Sequence, residues 1–141
     1  MPWPKQSSSV GIAFIRATAA AFTHAARQDA RLQELDFGTW EGQPWNNIPR
    51  DDINRWASDL LGFAPPGGES GASLVARVAA FHNDIVAAGQ DCIVVAHGGP
   101  LRVLAALLRG VPVDLSVPAT PLGSAQLFTS AQPPLSSGLN A

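Results

Sequence analysis

Three short segments hold the residues that could do chemistry. The first, RLQELDFGTWEG (31–42), places Glu34, Asp36 and Glu41 within eight residues, among Phe37 and Trp40. A carboxyl beside an aromatic ring loses hydration, and its pKa rises toward the range of a general acid. The plainer alternative is a loop with ordinary surface acids. The second segment, PPGGES (65–70), sets Glu69 and Ser70 after a glycine pair. Ser70 equally suits the cap of a following helix. The third, CIVVAHGGPLRVLAALLRG (92–110), puts His97 where an apolar run stops and a leucine-rich run begins. Gly98 and Gly99 let backbone approach a ligand closely, and Pro100 fits the first turn of a helix. Free N–H groups at a helix start favour anions, phosphate above all. These residues point to an imidazole held over an anion site, against the alternative of a polar cap on a loop. His82, at the edge of an apolar stripe, and His24, in an alanine-rich segment, suit structural or solvated roles.

The elements that must position these residues follow from periodicity and punctuation. Residues 13–26 are alanine-rich and predict a helix. Residues 31–47 hold turn residues and two tryptophans without a clean period, and predict an irregular loop. Residues 49–63 predict a helix, with Pro49 at its first position, Asp51 and Asp52 in its first turn, and Ile53, Trp56 and Leu60 on one face. Residues 64–71 are a loop. Residues 72–90 predict an amphipathic helix ending near Gly89. Leu74, Val78, Phe81 and Ile85 line one side of it, and Ser73, Arg77 and Asp84 the other. CIVVA (92–96) predicts a strand buried on both faces, and 100–109 a deeply packed helix stopped by Gly110. One further strand is expected at SAQLF (124–128). Residues 1–11 and 131–141 are expected to be loose ends of a single domain spanning 1–141.

Helix, buried strand, helix is the grammar of an α/β fold. In open parallel sheets ligands sit beyond the carboxyl ends of the strands, which is where His97 falls. With 46% hydrophobic and 14% charged residues, the 141-residue chain has the composition of a globular domain rather than a disordered one. A net charge of −2 gives no footprint for nucleic acid or an anionic membrane. No apolar stretch is long enough to span a bilayer. The opening MPWPKQSSSVGIAFIRATAAAF sets Lys5 before a short apolar run, as a signal peptide would, but Arg16 interrupts it. The single cysteine, Cys92, excludes an intrachain disulfide and fits a reducing, cytoplasmic compartment. Three scattered histidines and one cysteine make no zinc motif, so no metal or other cofactor is expected. A serine hydrolase would need Gly-x-Ser-x-Gly, and Ala72 stands where the last glycine belongs after Gly68 and Ser70.

RLQELDFGTWEG, PPGGES and IVVAHGGPLR, in this order, resemble the histidine phosphatase (phosphoglycerate mutase-like) superfamily. The resemblance runs from about Arg16 to Gly110, and ELDFGTWEGQPWNNI is most similar to the α-ribazole phosphatase branch. It implies a three-layer α/β fold, a mostly parallel sheet flanked by helices. It also implies metal-free phosphomonoester hydrolysis of a small substrate, with α-ribazole 5′-phosphate of cobalamin biosynthesis favoured. In that chemistry a histidine of an Arg-His-Gly motif attacks phosphorus, a second histidine and two arginines hold the phosphoryl oxygens, and a glutamate protonates the leaving alkoxide. By resemblance Glu34 matches the proton donor, His97 the second histidine, and the Gly98 N–H a phosphate ligand.

One part of the pattern is missing. The sequence holds no Arg-His-Gly, and Phe14 stands where the second arginine is expected, with Arg16 two residues away. Arg102, after the His97 loop, is a source of positive charge whose direction the sequence leaves open. The expectation is a phosphatase core without its first strand and its attacking histidine. The alternative is a remnant that binds phosphate or a partner without turnover. An exposed sheet edge would favour a homodimer.

Overall fold

The computed structural model describes residues 27–129. The helix expected at 13–26, His24 and the ends at 1–11 and 131–141 lie outside the described residues. Three single turns of 3₁₀ helix come first, at Ala30–Leu32, Gly38–Trp40 and Trp45–Asn47. Three α-helices follow: α1 (Arg50–Ser58), α2 (Gly71–Ala88) and α3 (Gly98–Arg109).

Each helix ends where local chemistry stops it. Pro49 is the residue before α1 rather than its first position, and Asp51 and Asp52 occupy the first turn. The helix is shorter than the 49–63 expected. Asp59 Oδ1 accepts from the Gly62 N–H at 2.7 Å, and the Asp59 carbonyl from Phe63 N–H at 3.0 Å. This side chain offers the backbone a turn in place of the next helical bonds. Helix α2 starts on Ser70, whose hydroxyl accepts from the Ser73 N–H at 3.2 Å. The capping role is therefore the one the structure gives Ser70. Gly89 and Gly110, both left-handed, close α2 and α3.

The core lies between α2 and α3. Leu74, Val78 and Phe81 of α2 meet Val103 and Leu104 of α3, and Leu32, Leu35, Val94, Leu107 and Leu115 pack around them. The segment before α1 is fastened to α2 separately. Asp29 caps the first 3₁₀ turn, accepting from Arg31 N–H at 3.0 Å and from Arg31 Nη2 at 2.7 Å. Arg31 reaches on to Asp84 on α2 at 2.7 Å and lies 5.5 Å over the Phe81 ring. A smaller aromatic cluster forms beside α1. Trp40, which is buried, packs edge-on to Trp56 and stacks with Phe63, while Phe37 and Trp45 also meet Trp56.

The two expected strands are not formed among the described residues. CIVVA (92–96) was to be buried on both faces, yet Cys92 is exposed and Ile93 is 72% exposed, while Val94 packs on the core. A strand requires a ladder partner, and no described segment pairs with this one. SAQLF (124–128) is likewise outside any ladder, with Leu127 92% exposed. Its Gln126 instead accepts from Arg109 at 2.7 Å, and Arg109 lies over Phe128. No helix of the described residues is long and apolar enough to cross a membrane.

Leu104→Ala removes a side chain from the α2–α3 seam and should lower unfolding free energy by about 3 kcal/mol, measured by urea denaturation. The hydrogen bonds from Arg31 hold the Asp29 carboxyl below its ordinary range. A depressed carboxylate contributes stability above its unfolded pKa and loses it as pH falls through the folded value. Asp29→Asn keeps a capping side chain but removes the charge paired with Arg31, and should therefore cost about 0.5–1 kcal/mol at pH 7. In denaturation curves that cost should shrink as pH falls below about 4, and a pH-independent cost would contradict this account.

Candidate active site

The three segments singled out by sequence come together in space. The first and second are joined backbone to backbone. Thr39 N–H donates to the Pro66 carbonyl and Glu69 N–H to the Asp36 carbonyl, both at 2.9 Å. The approach is too close for a side chain at Gly38, which has φ +54°. A Cβ there would lie 2.3 Å from the Pro66 carbonyl oxygen and 2.4 Å from Gly68 N. The second segment is fixed in turn to the start of α2, through the Ser70 cap.

The three acidic residues of the first segment have different employment. Asp36 Oδ1 accepts from the Gly38 N–H at 2.8 Å, and Glu41 Oε1 from the Phe37 N–H at 3.1 Å. Both carboxyls hold the turn, as ordinary loop acids do. Glu34 alone reaches the third segment. Its Oε2 accepts from the Gly99 N–H at 3.2 Å, across 65 residues, and its Oε1 from the Leu35 N–H at 2.8 Å. Glu34 is half-buried. The aromatic rings that were expected to desolvate a carboxyl turn toward Trp56 and Phe63 instead.

His97 is the extended residue preceding α3, which begins at Gly98 rather than at Pro100. Its side chain caps no N–H of the helix, so the ring is left for another partner. The carboxylate of Glu34 lies at the positive end of α3, on one of the amides that has no acceptor within the helix. Gly99 is required by this contact: a Cβ there would lie 2.0 Å from Glu34 Oε1. At Gly98 a Cβ would come within 2.8 Å of the Ala119 side chain, so the loop after α3 closes over the same turn. Arg102 donates from Nη1 to the Leu115 carbonyl at 2.7 Å and so fastens the loop after α3.

One residue of the site escaped sequence reasoning. Arg77 was assigned to the solvent side of α2, yet its side chain is only 20% exposed and binds Glu69 and the backbone around Glu34. The signal was its spacing. Arg77 lies three residues after Leu74 and four before Phe81, at the border of the apolar stripe. His82 is half-buried on α2 and takes no part in this arrangement. Among the described residues no group of three or more His, Cys, Asp or Glu side chains could hold a metal ion. An open cavity of about 440 Å³ beside α1, lined by Arg55, Ser58, Asp59, Gly62, Phe63 and Ala64, includes none of Glu34, His97 and Gly98.

The Glu34 carboxyl thus meets the first turn of α3 immediately after His97 and Gly98. Comparison with known proteins gives that arrangement a family. Residues 12–124 match the histidine phosphatase superfamily (branch 1), and the chain belongs to it. A putative phosphoserine phosphatase 2 of Hydrogenobacter thermophilus is 32% identical over 90 residues, covering 61% of this chain and 44% of the relative. A glucosyl-3-phosphoglycerate phosphatase of Mycolicibacterium vanbaalenii is 34% identical over 104 residues, covering 61% and 43%. The chain thus spans less than half the length of these relatives. Among solved structures, a mycobacterial glucosyl-3-phosphoglycerate phosphatase complexed with VO3 superposes with TM-score 0.60 at 28% identity, over 73% of this chain and 55% of that one. The α-ribazole phosphatase of Shigella flexneri superposes with TM-score 0.64 at 24% identity, over 74% and 55%, a likeness of fold. These neighbours support the expected α/β class.

Gly99→Ala should drive the Glu34 carboxyl off the helix start and cost about 1–3 kcal/mol of stability. In a Glu34→Ala background the added methyl meets no carboxyl, and the same change should cost at least about 0.5 kcal/mol less. A thermodynamic cycle from urea melts measures that coupling, and additive costs would place the clash elsewhere.

Proposed function

We propose that this site serves phosphomonoester hydrolysis on a small molecule, with Glu34 as proton donor, His97 holding phosphoryl oxygens and the Gly98 N–H binding beside it. The observation that carries the reading is the Glu34 carboxyl seated on the Gly99 N–H, directly after His97 and Gly98. In this reading water, the co-substrate of hydrolysis, supplies the oxygen of the new bond to phosphorus and gives its proton to solvent, while the ester P–O bond breaks with its electron pair on the leaving oxygen, which takes the proton of Glu34. The two N–H groups on Glu34 then stabilise the carboxylate left behind. The imidazole and the helix-start amides face the charge on the transferring group. Arg102 donates from Nη1 to the Leu115 carbonyl, and His97 is the side chain this reading sets against the phosphoryl oxygens.

The given sequence holds no Arg-His-Gly, and the second reading is a site that binds a phosphoryl group without turning it over. For substrate, α-ribazole 5′-phosphate rests on the resemblance of ELDFGTWEGQPWNNI and on likeness of fold to one phosphatase of that kind. Phosphoserine and glucosyl-3-phosphoglycerate are the alternatives, through the names of the relatives.

The test combines phosphate binding by calorimetry with turnover of p-nitrophenyl phosphate and the three alkyl esters. His97→Ala should weaken phosphate binding at least about tenfold. Glu34→Gln should leave binding intact and lower alkyl-ester turnover by about 10²–10⁴. It should slow p-nitrophenyl phosphate far less, because that leaving group departs without a proton. Binding with no turnover of any ester selects the second reading, and absence of binding in the wild-type protein removes both.

A further inference from the structure

Every N–H of the Arg77 guanidinium is used. Nη1 donates to the Arg31 carbonyl at 2.8 Å and the Gln33 carbonyl at 2.7 Å. Nη2 donates to the Glu34 carbonyl at 3.1 Å and to Glu69 Oε1, and Nε to Glu69 Oε2 at 3.2 Å. Five donors meet five acceptors, the full capacity of the group. Three of those acceptors are backbone carbonyls within residues 31–34. The carboxylate partner closes the other side of the same loop: Glu69 Oε1 accepts from the Asp36 N–H at 3.2 Å. Glu34 thus sits between two residues held by one ion pair, whose arginine lies in the second turn of α2 and directly precedes fully buried Val78.

We propose that Arg77, with Glu69, is the positioning device of the site, holding the 31–36 loop so that the Glu34 carboxyl meets the Gly99 N–H. This rests on the reading of Glu34 as proton donor. The physical case is one of geometry rather than net stability. A partly buried ion pair contributes little over an apolar pair of the same shape, but it is directional, and a guanidinium fork fixes planar acceptors in a way an ammonium cannot. Arg77 touches neither the Glu34 carboxyl nor the helix start. It acts on them through the main chain of residues 31–34.

The Gly99 N–H supplies a readout independent of turnover. It lies in the first turn of α3, where no intrahelical acceptor exists. Its protection from hydrogen exchange therefore reports the Glu34 carboxyl. In the 141-residue protein, amide exchange is compared at Gly99 and at Leu104, inside the same helix. Arg77→Met should raise exchange at Gly99 at least about tenfold, to the level of Glu34→Ala, with Leu104 unchanged. Arg77→Lys should restore part of the protection. Glu69→Gln, which keeps the shape of the clamp, should give a smaller rise and serves if Arg77→Met does not fold. Where turnover is measurable, Arg77→Lys should lower kcat for alkyl esters without raising KM, and should add nothing in a Glu34→Gln background. Wild-type protection at Gly99 in Arg77→Met and Glu69→Gln would overturn the proposal. An equal rise at Gly99 and Leu104 would overturn it as well, because it would make Arg77 a general support of the fold. A wild-type protein that neither binds phosphate nor hydrolyses a phosphate ester removes the phosphatase reading, while the exchange comparison still decides what places Glu34.

Discussion

The contact between the Glu34 carboxyl and the Gly99 N–H constrains everything around it. A carboxylate cannot rest on the first turn of a helix unless both backbones are held within hydrogen-bond reach. That demands glycine at 99, where a single added carbon would fall 2.0 Å from the carboxyl oxygen. It also demands that α3 begin immediately after His97. An earlier or later start would rotate a different amide toward the acid, since each residue turns the helix by about 100°. The histidine, the two glycines and the acid are therefore one geometric unit, although 62 residues separate Glu34 from the nearest of the others.

Holding the acid's own loop is a separate problem, because residues 31–47 form only single 3₁₀ turns. Such turns satisfy few of their own backbone groups. Carbonyls at 31, 33 and 34 are satisfied by one guanidinium, and the amide at 36 by that guanidinium's carboxylate partner. Asp29 and Arg31 add a second fastening, through Asp84, to the same helix. The irregular loop is thus ordered by α2 rather than by its own conformation. Its polar groups are satisfied where a buried loop would otherwise carry unpaired ones.

Sequence made the ingredients legible more readily than the connections. The caps at Ser70, Gly89 and Gly110 and the core stripe Leu74, Val78, Phe81 follow from local rules, and the structure has them all. Read from the residues themselves, Glu34 was one of three acids in a short window, and it was the family resemblance that singled it out. What separates it from Asp36 and Glu41 is a contact with Gly99, and no local pattern carries information across 65 residues. Arg77 was misassigned because a helical wheel divides residues into apolar and solvent faces. The flank bearing Arg77 and Asp84 faces a third environment, a polar loop laid against the helix. The strands at 92–96 and 124–128 were read from composition, whereas strand structure depends on a neighbour to pair with, and none lies among the described residues.

The placement of His97 follows from this. In the α/β grammar a residue at the end of a strand takes its position from the sheet. Here the position of the His97 turn is carried by the helices. Val103 and Leu104 anchor α3 on Leu74, Val78 and Phe81 of α2, and α2 anchors the Glu34 loop through Arg77 and Glu69. Both halves of the site are referred to the same helix, one by apolar packing and the other by directional polar contacts. Packing alone would fix the depth of α3 but tolerate small slides along the seam, because dispersion is not directional. The hydrogen bonds at Glu34 and Arg77 supply the missing direction. A site assembled in this way keeps its internal geometry as long as α2 and α3 stay packed, whatever the segment 92–96 pairs with.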